Sequence, residues 1–365
     1  MMNLYEILLQ SANSALSLLN PETGSMPSGH NGSYYDPETP VRNTSHWLIT
    51  FLKAYSISHQ KQFLEAAQRT AAYLCSREAR PMKATFWHRK NPKKDTCNGL
   101  IGQAWTIEAL TIAAEELEMP ELIALAEEVF LLHPFNENIS LWQRVGVDGS
   151  YLTFDMTFNH QLWFAAAGGL LAKYTAGEVE ARVRCFMDRM DHFDVYSSGL
   201  IRHLVALNKF KWRQRIIELV NLPKLSQEHK DLAYKAVGYH SFNLYAFALL
   251  KQRYPDHAFW GSTKFKSALS YAQSEPYLRD INDNHYGYPY NPPGFEMAFA
   301  LEVFLKNNRS EQERWLSKQL HHCYDFNSHM MNRGTKDPVT NAARLYESTR
   351  LPNLKVGLED GYNKP

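Results

Sequence analysis

Three tryptophans, Trp47, Trp105 and Trp163, recur at intervals of 58 residues, each near the start of a long helical stretch. A loop rich in Gly, Asn, Asp and aromatic residues leads into each one, and an apolar helix follows. The approaches read Thr44-Ser45-His46-Trp47, Gly102-Gln103-Ala104-Trp105 and Asn159-His160-Gln161-Leu162-Trp163. A period this long, with two helical segments inside it, predicts a repeated helical hairpin. Equivalent loops of such an array gather at one end, so the same spacing predicts where a site forms.

Apolar residues keep helical rather than alternating spacing through most of the chain. The predicted pairs are 45–58 with 61–76, 99–116 with 120–132, 158–174 with 177–190, 199–209 with 213–220, 238–253 with 262–273, and 293–307 with 311–323. Helices are also predicted over 4–19 and after Asp337-Pro338, and these two would pair to close a ring. Connections within a pair are short, as antiparallel neighbours require. Those between pairs are longer and carry the turn residues and tyrosines, and long ordered loops on a rigid scaffold are where function collects. The run Ala165-Ala166-Ala167-Gly168-Gly169-Leu170-Leu171-Ala172 is apolar all round, which suits a helix buried on every side. Its partner carries Glu178, Glu180 and Arg182 and would face outward. The expected fold is all-α, a closed (α/α)6 toroid forming one domain over residues 1–365, with an open solenoid as the alternative.

The 39 basic and 38 acidic residues are well mixed, which argues against nucleic acid as a partner because phosphate-binding surfaces cluster their positive charge. His88-Arg89-Lys90 and Lys93-Lys94 read as solvated loops. No apolar run is long enough for a membrane span. The start lacks a signal-peptide pattern, and the four cysteines are scattered, so a cytoplasmic location with free thiols is expected. There is no HExxH, no paired Cys/His set, no GxGxxG, no P-loop and no GxSxG elbow. No metal or other cofactor is therefore expected, and no serine-hydrolase chemistry.

The candidate site residues come from the long loops. Arg42 and His46 stand at the first helix entrance, where they would bind a hydroxylated or anionic ligand. Asp95, Asn98, Gln103 and Trp105 surround the second; Asp95 or Asn98 there serves equally as a helix cap. Asp155, Asn159 and Trp163 are spaced four apart and share one helix face, with His160 beside them, read either as a site residue or as a satisfied interior histidine. A carboxylate, an amide and an indole on one face suit a sugar. Tyr239 and His240 form a candidate proton-transfer pair. Tyr290, Asn291 and Glu296 close a strongly aromatic loop, and Asn341, Arg344 and Glu347 share a later helix face.

These residues resemble the six-hairpin toroid superfamily of carbohydrate enzymes. Asp155-Met156-Thr157-Phe158-Asn159 resembles the Asp-x-Met-Met-Asn string of the unsaturated glucuronyl hydrolases, where that Asp is the general acid/base. Gly102-Gln103-Ala104-Trp105 resembles their Arg-Gly-Gln-Ala-Trp string, with Ile101 in place of the Arg. More distantly, Pro293-Gly294-Phe295-Glu296 resembles the Pro-Gly-His segment of the N-acylglucosamine 2-epimerase group, with Phe295 at the His. The resemblance implies a saccharide substrate and a glycoside hydrolase in which Asp155 leads, Asp95 is the second carboxylate, and His240 assists. Epimerisation or lysis through His and Tyr is the alternative, as is a non-catalytic glycan-binding protein.

Overall fold

The computed structural model of the chain describes residues 2–190, 193–206, 223–306 and 308–357, with backbone alone at 223–226. In chain order its helices are α1 (Leu4–Leu16), α2 (Val41–Ser58), α3 (Lys61–Leu74), α4 (Gly99–Glu116), α5 (Glu121–Leu132), α6 (Phe158–Leu171), α7 (Glu178–Asp188), α8 (Pro223–Arg253), α9 (Thr263–Tyr271), α10 (Glu275–Asn282), α11 (Pro293–Phe304), α12 (Arg309–Cys323) and α13 (Pro338–Ala343). A 3-10 helix, Arg344–Arg350, continues α13.

The apolar helices make an inner ring. α2 packs on α4, α4 on α6, α6 on α8, and α8 on α11; the 3-10 helix then touches both α11 and α2 and closes the circle. The amphipathic helices lie outside: α3 against α2, α5 against α4, α7 against α6, and α12 against α11. This is the closed (α/α)6 toroid rather than an open solenoid. The inner helices sit close to their neighbours because small residues let them. A Cβ on Gly168 would stand 2.5 Å from the Phe130 ring, so an alanine there would push α6 off α5. Burying an inner-ring Leu or Phe such as Leu162 or Phe164, both fully covered, contributes roughly 1.5–3 kcal/mol.

A glutamine pins each of two long loops to the helix that follows. The Gln103 amide accepts from Phe86 N (2.9 Å) and donates to the carbonyls of Phe86 (3.0 Å) and Cys97 (2.8 Å). One repeat later, Gln161 accepts from Trp142 N (2.9 Å) and donates to the carbonyls of Trp142 (2.8 Å) and Asp155 (2.9 Å). Both amides are thereby satisfied in the interior, as buried polar groups must be.

The structure departs from the sequence expectation in four places. α8 runs for 31 residues, starting well before 238; its polar first half carries no apolar stripe to betray it. The predicted helix over 262–273 becomes α9, and a new helix follows, because Ser274 caps it (Oγ accepting from Tyr277 N, 3.4 Å) and Pro276 stands in its first turn. Residues 199–206 form short bridges, Val195 with Ile201 and Thr157 with Leu204, instead of a helix; the rest of that expected pair lies outside the described residues. Lastly, α1 packs on α2 and α3, and it is the strand β1 (Met2–Asn3) that reaches the far end of the chain. It pairs antiparallel with β5 (Lys355–Val356), Met2 opposite Val356. Between α5 and α6 the loop folds into a small antiparallel sheet of β2 (Phe135–Asn136), β3 (Leu141–Val145) and β4 (Tyr151–Phe154), in that order.

Candidate functional site

The long loops meet at one end of the ring, over a cavity of about 210 Å³. Every inner element except α2 contributes to its wall: Asn98, Ile101 and Trp105 at the start of α4; Thr157, Asn159 and His160 at α6; Lys235, Tyr239 and Phe242 along α8; Tyr290 and Asn291 ahead of α11; and Arg344 at the 3-10 helix. Asn31, Tyr34, Arg89, Lys94 and His203 enter from loops. No Asp or Glu is among these described residues. A wider hollow of about 690 Å³ lies between α7 and the end of α8, and it shares no lining residue with this cavity.

His160 reaches the cavity with an aspartate behind it. Its Nδ1 is 2.8 Å from Asp155 Oδ2. The same carboxylate accepts from Leu100 N (3.2 Å) and Thr157 N (3.1 Å), so both oxygens are engaged. Burial alone would raise the Asp155 carboxyl; the His160 charge and hydrogen bond, with the two amides, outweigh it and hold the group down at about 2. With Nδ1 turned to the carboxylate, His160 presents its other ring nitrogen for chemistry. The approach of α4 to this aspartate depends on two successive left-handed residues, Asn98 (φ 57°) and Gly99 (φ 58°). A Cβ on Gly99 would lie 2.6 Å from Asp155 Oδ2.

His203 is the second histidine of the cavity. Burial, then Lys235 and His160, lower its pKa to about 3, so it is neutral at ordinary pH, and its Nδ1 has no hydrogen-bond partner among the described residues. Three further buried wall atoms are also unpartnered: Asn159 Oδ1, Trp105 Nε1 and Arg344 Nε. Buried polar groups without partners are costly, and a polar group entering this cavity would meet four of them. The Trp105 ring is held from below by Arg42, 4.2 Å from its centroid, and at its edge by His46.

Of the residues expected from the sequence, the structure brings Asn98, Trp105, Asn159, His160, Tyr239, Tyr290, Asn291 and Arg344 to the cavity wall. The others lie off it. Asp155 stands behind His160. Asp95 caps Gly99 N (2.8 Å) and pairs with Arg144 (2.7 Å). His240 is fully buried, Nδ1 accepting from Ile201 N (3.2 Å) and Nε2 donating to the Ala268 carbonyl (3.0 Å). Arg42 pairs with Glu38 (3.2 Å), and His46 stacks on Tyr346 (4.1 Å). Gln103 is the loop clamp. Trp163 packs between Phe242 and Tyr245, its indole N–H donating to the Phe242 carbonyl (3.2 Å). Glu296 pairs with Arg344 (3.2 Å). Two loops expected to be solvated instead supply Arg89 and Lys94. His203 and Lys235 escape a sequence reading: His203 falls in a stretch expected to be an ordinary helix, and Lys235 looks like any lysine on a polar helix.

The fold is one that carbohydrate-active enzymes use. In solved structures the chain is similar to cellobiose 2-epimerase from Bacillus thermoamylovorans B4167, with 13% identity and a TM-score of 0.65, covering 92% of this chain and 95% of that one. It is likewise similar to an unsaturated glucuronyl hydrolase specific for heparin, with 11% identity and a TM-score of 0.60, covering 94% and 96%. No family profile matches the chain. Over 98% of its length it is 46% identical to the whole of archaeal glycosylation protein Q from Haloferax volcanii. The chain belongs to the archaeal glycosylation protein Q family.

Proposed function

We propose that this protein is a sugar epimerase or isomerase, moving a proton on a saccharide destined for a glycan. The observation that carries this reading is a cavity walled by two histidines and no carboxylate among the described residues. Hydrolysis by paired carboxylates needs one on each side of the scissile bond; Asp155 and Asp95, the two candidates, both lie behind the wall with their oxygens engaged. Proton transfer beside a carbonyl needs a base and an acid at one carbon or at adjacent carbons.

His203, neutral and unpartnered at Nδ1, takes the proton from the carbon next to the open-chain carbonyl. The C–H electron pair moves into an enediolate, whose oxygen is stabilised by Arg344 and the amide of Asn291. His160, oriented at Nδ1 by the Asp155 carboxylate, acts as the acid and returns a proton through its other ring nitrogen. Delivery to the other face of the same carbon gives the epimer; delivery to the former carbonyl carbon, with the neighbouring hydroxyl proton passing to the former carbonyl oxygen, gives the isomer. Trp105, seated on Arg42, offers a flat apolar face to the sugar ring. The similarity to a cellobiose 2-epimerase and the glycosylation role in the relative's name fit this reading.

The test is proton NMR of a saccharide panel in D₂O. Loss of one ring-proton signal without chain cleavage is the expected result, and His203→Gln should abolish it. New reducing-end signals with no exchange would restore the hydrolase reading.

A further inference from the structure

Resting on that reading, we infer that the sugar is a monoanion and that Lys235 binds its carboxylate. Four Lys and Arg side chains line the cavity, and three already have carboxylate partners. Arg89 pairs with Asp36 (3.2 Å) and Asp95 (3.6 Å), Lys94 with Asp36 (3.1 Å), and Arg344 with Glu296 (3.2 Å) and Glu347 (2.5 Å). Lys235 has no carboxylate partner among the described residues. Its ammonium is held instead by tyrosine rings, with Nζ 5.0 Å from the Tyr34 centroid, 5.6 Å from Tyr286 and 6.0 Å from Tyr239.

Those rings hold the cation in place without cancelling it, because burial keeps all three phenols protonated. They are also tied together: Tyr34 Oη is 3.3 Å from Tyr239 Oη, which donates to Tyr290 Oη at 3.3 Å, and that hydroxyl donates to Asn31 Oδ1 at 2.9 Å. The lysine is thus a fixed, half-buried charge facing a polar cavity. A half-buried ammonium without a counter-ion is unfavourable, and burial with the nearby Lys94 lowers its pKa accordingly. A ligand carboxylate supplies the missing charge. One lining cation without a carboxylate partner matches one ligand carboxylate. The volume, below the roughly 300–1,000 Å³ of sites for larger ligands, matches one sugar unit. The chemical class is a hexuronate, free or at the end of a chain whose remainder stays at the mouth.

The experiment measures binding of glucuronate, galacturonate and mannuronate, of glucose, and of glucose 6-phosphate, to wild type, Lys235→Met and Lys235→Arg, alongside deuterium exchange. At least one hexuronate should bind wild type. Lys235→Met should weaken it about 10- to 100-fold, the scale of a lost charged hydrogen bond. Lys235→Arg should recover part, and glucose should be indifferent to all three. Glucose binding as well as every hexuronate, tighter Lys235-dependent binding of the dianionic phosphate, or no binding of any hexuronate would each overturn the inference. Lys235-dependent hexuronate binding with no exchange in wild type would leave the inference standing and sink the epimerase reading. Exchange on a sugar that Lys235→Met leaves untouched would do the reverse.

Discussion

Asp155 keeps its charge in a place where burial alone would discharge it, because His160 and two backbone amides converge on it. Its task in the proposed mechanism is to fix the ring orientation and tautomer of His160, without touching the sugar. Asp155→Asn preserves shape but offers Nδ1 an amide in place of a carboxylate. Turnover should fall by roughly 10²–10⁴, the scale of misplaced acid/base catalysis, with little change in KM. Steady-state kinetics of a correctly folded variant check this; unchanged kcat would remove the dyad from the mechanism. At this scale the sequence was partly legible. Asn159 and His160 stand at a repeat position and so announce themselves. His240 looked equally reactive from its neighbour Tyr239, yet both its ring nitrogens are spent on backbone groups. Sequence spacing says which residues are close along a helix and nothing about which already have partners.

Elements matter here as supports for residues that cannot support themselves. The segment 193–206 brings His203 to the cavity, and its attachment to α8 includes the bond from Ile201 N to His240 Nδ1. Burial lowers the His240 pKa to about 4, against an ordinary value near 6.5, with the Ala268 carbonyl opposing. Between those values the unfolded chain takes a proton that the folded one refuses. The stability His240 contributes at neutral pH is therefore lost as pH falls through this window, at up to about 1.4 kcal/mol per unit. His240→Gln lacks that dependence. It should cost about 1–3 kcal/mol at pH 7 through its lost hydrogen bonds, and the gap to wild type should narrow as pH falls from about 6.5 to 4, as urea unfolding at several pH values can follow. Gly99→Ala makes a second test of support. The left-handed φ and the 2.6 Å approach to Asp155 both forbid a methyl group, so a loss of about 1 kcal/mol or more should come with loss of exchange activity. The Asn98-Gly99 pair is a local signal that sequence shows plainly, whereas the polar first half of α8 is silent because nothing in its pattern reveals that it overhangs a cavity.

The whole molecule is a ring, and a ring needs a closing joint. The 58-residue spacing of Trp47, Trp105 and Trp163 made the helical hairpins legible and with them the toroid, because each hairpin buries its apolar face only against its neighbours. The joint was legible in part: a last helix after Asp337-Pro338, with Arg344 and Glu347 on one face, was expected to help close the ring, but against α1 rather than against α2 and α11. It is a 3-10 helix in which Arg344 and Glu347 are buried. Arg344 ties it to α11 through Glu296 and to the loop before α11 through Asn291 (3.1 Å). Ser241 on α8 donates to the same Glu296 at 2.6 Å, so three inner elements meet at one carboxylate. Burial, with mutual repulsion, pushes Glu296 well up; Glu347 is raised to about 7, burial prevailing over Arg344. Removing the one cation should expose how much the joint depends on it. Arg344→Met leaves two buried glutamates without their cation and should cost roughly 3–5 kcal/mol at pH 7. The loss should shrink as the medium is acidified, since protonation relieves two acids whose folded pKa values rise further without the arginine. Adding Glu296→Gln should recover part of the loss, giving a coupling of about 0.5–3 kcal/mol in a double-mutant cycle by chemical unfolding. Additive effects in that cycle would mean that the ring is held by its apolar contacts alone, with the central charges there only for the cavity above them.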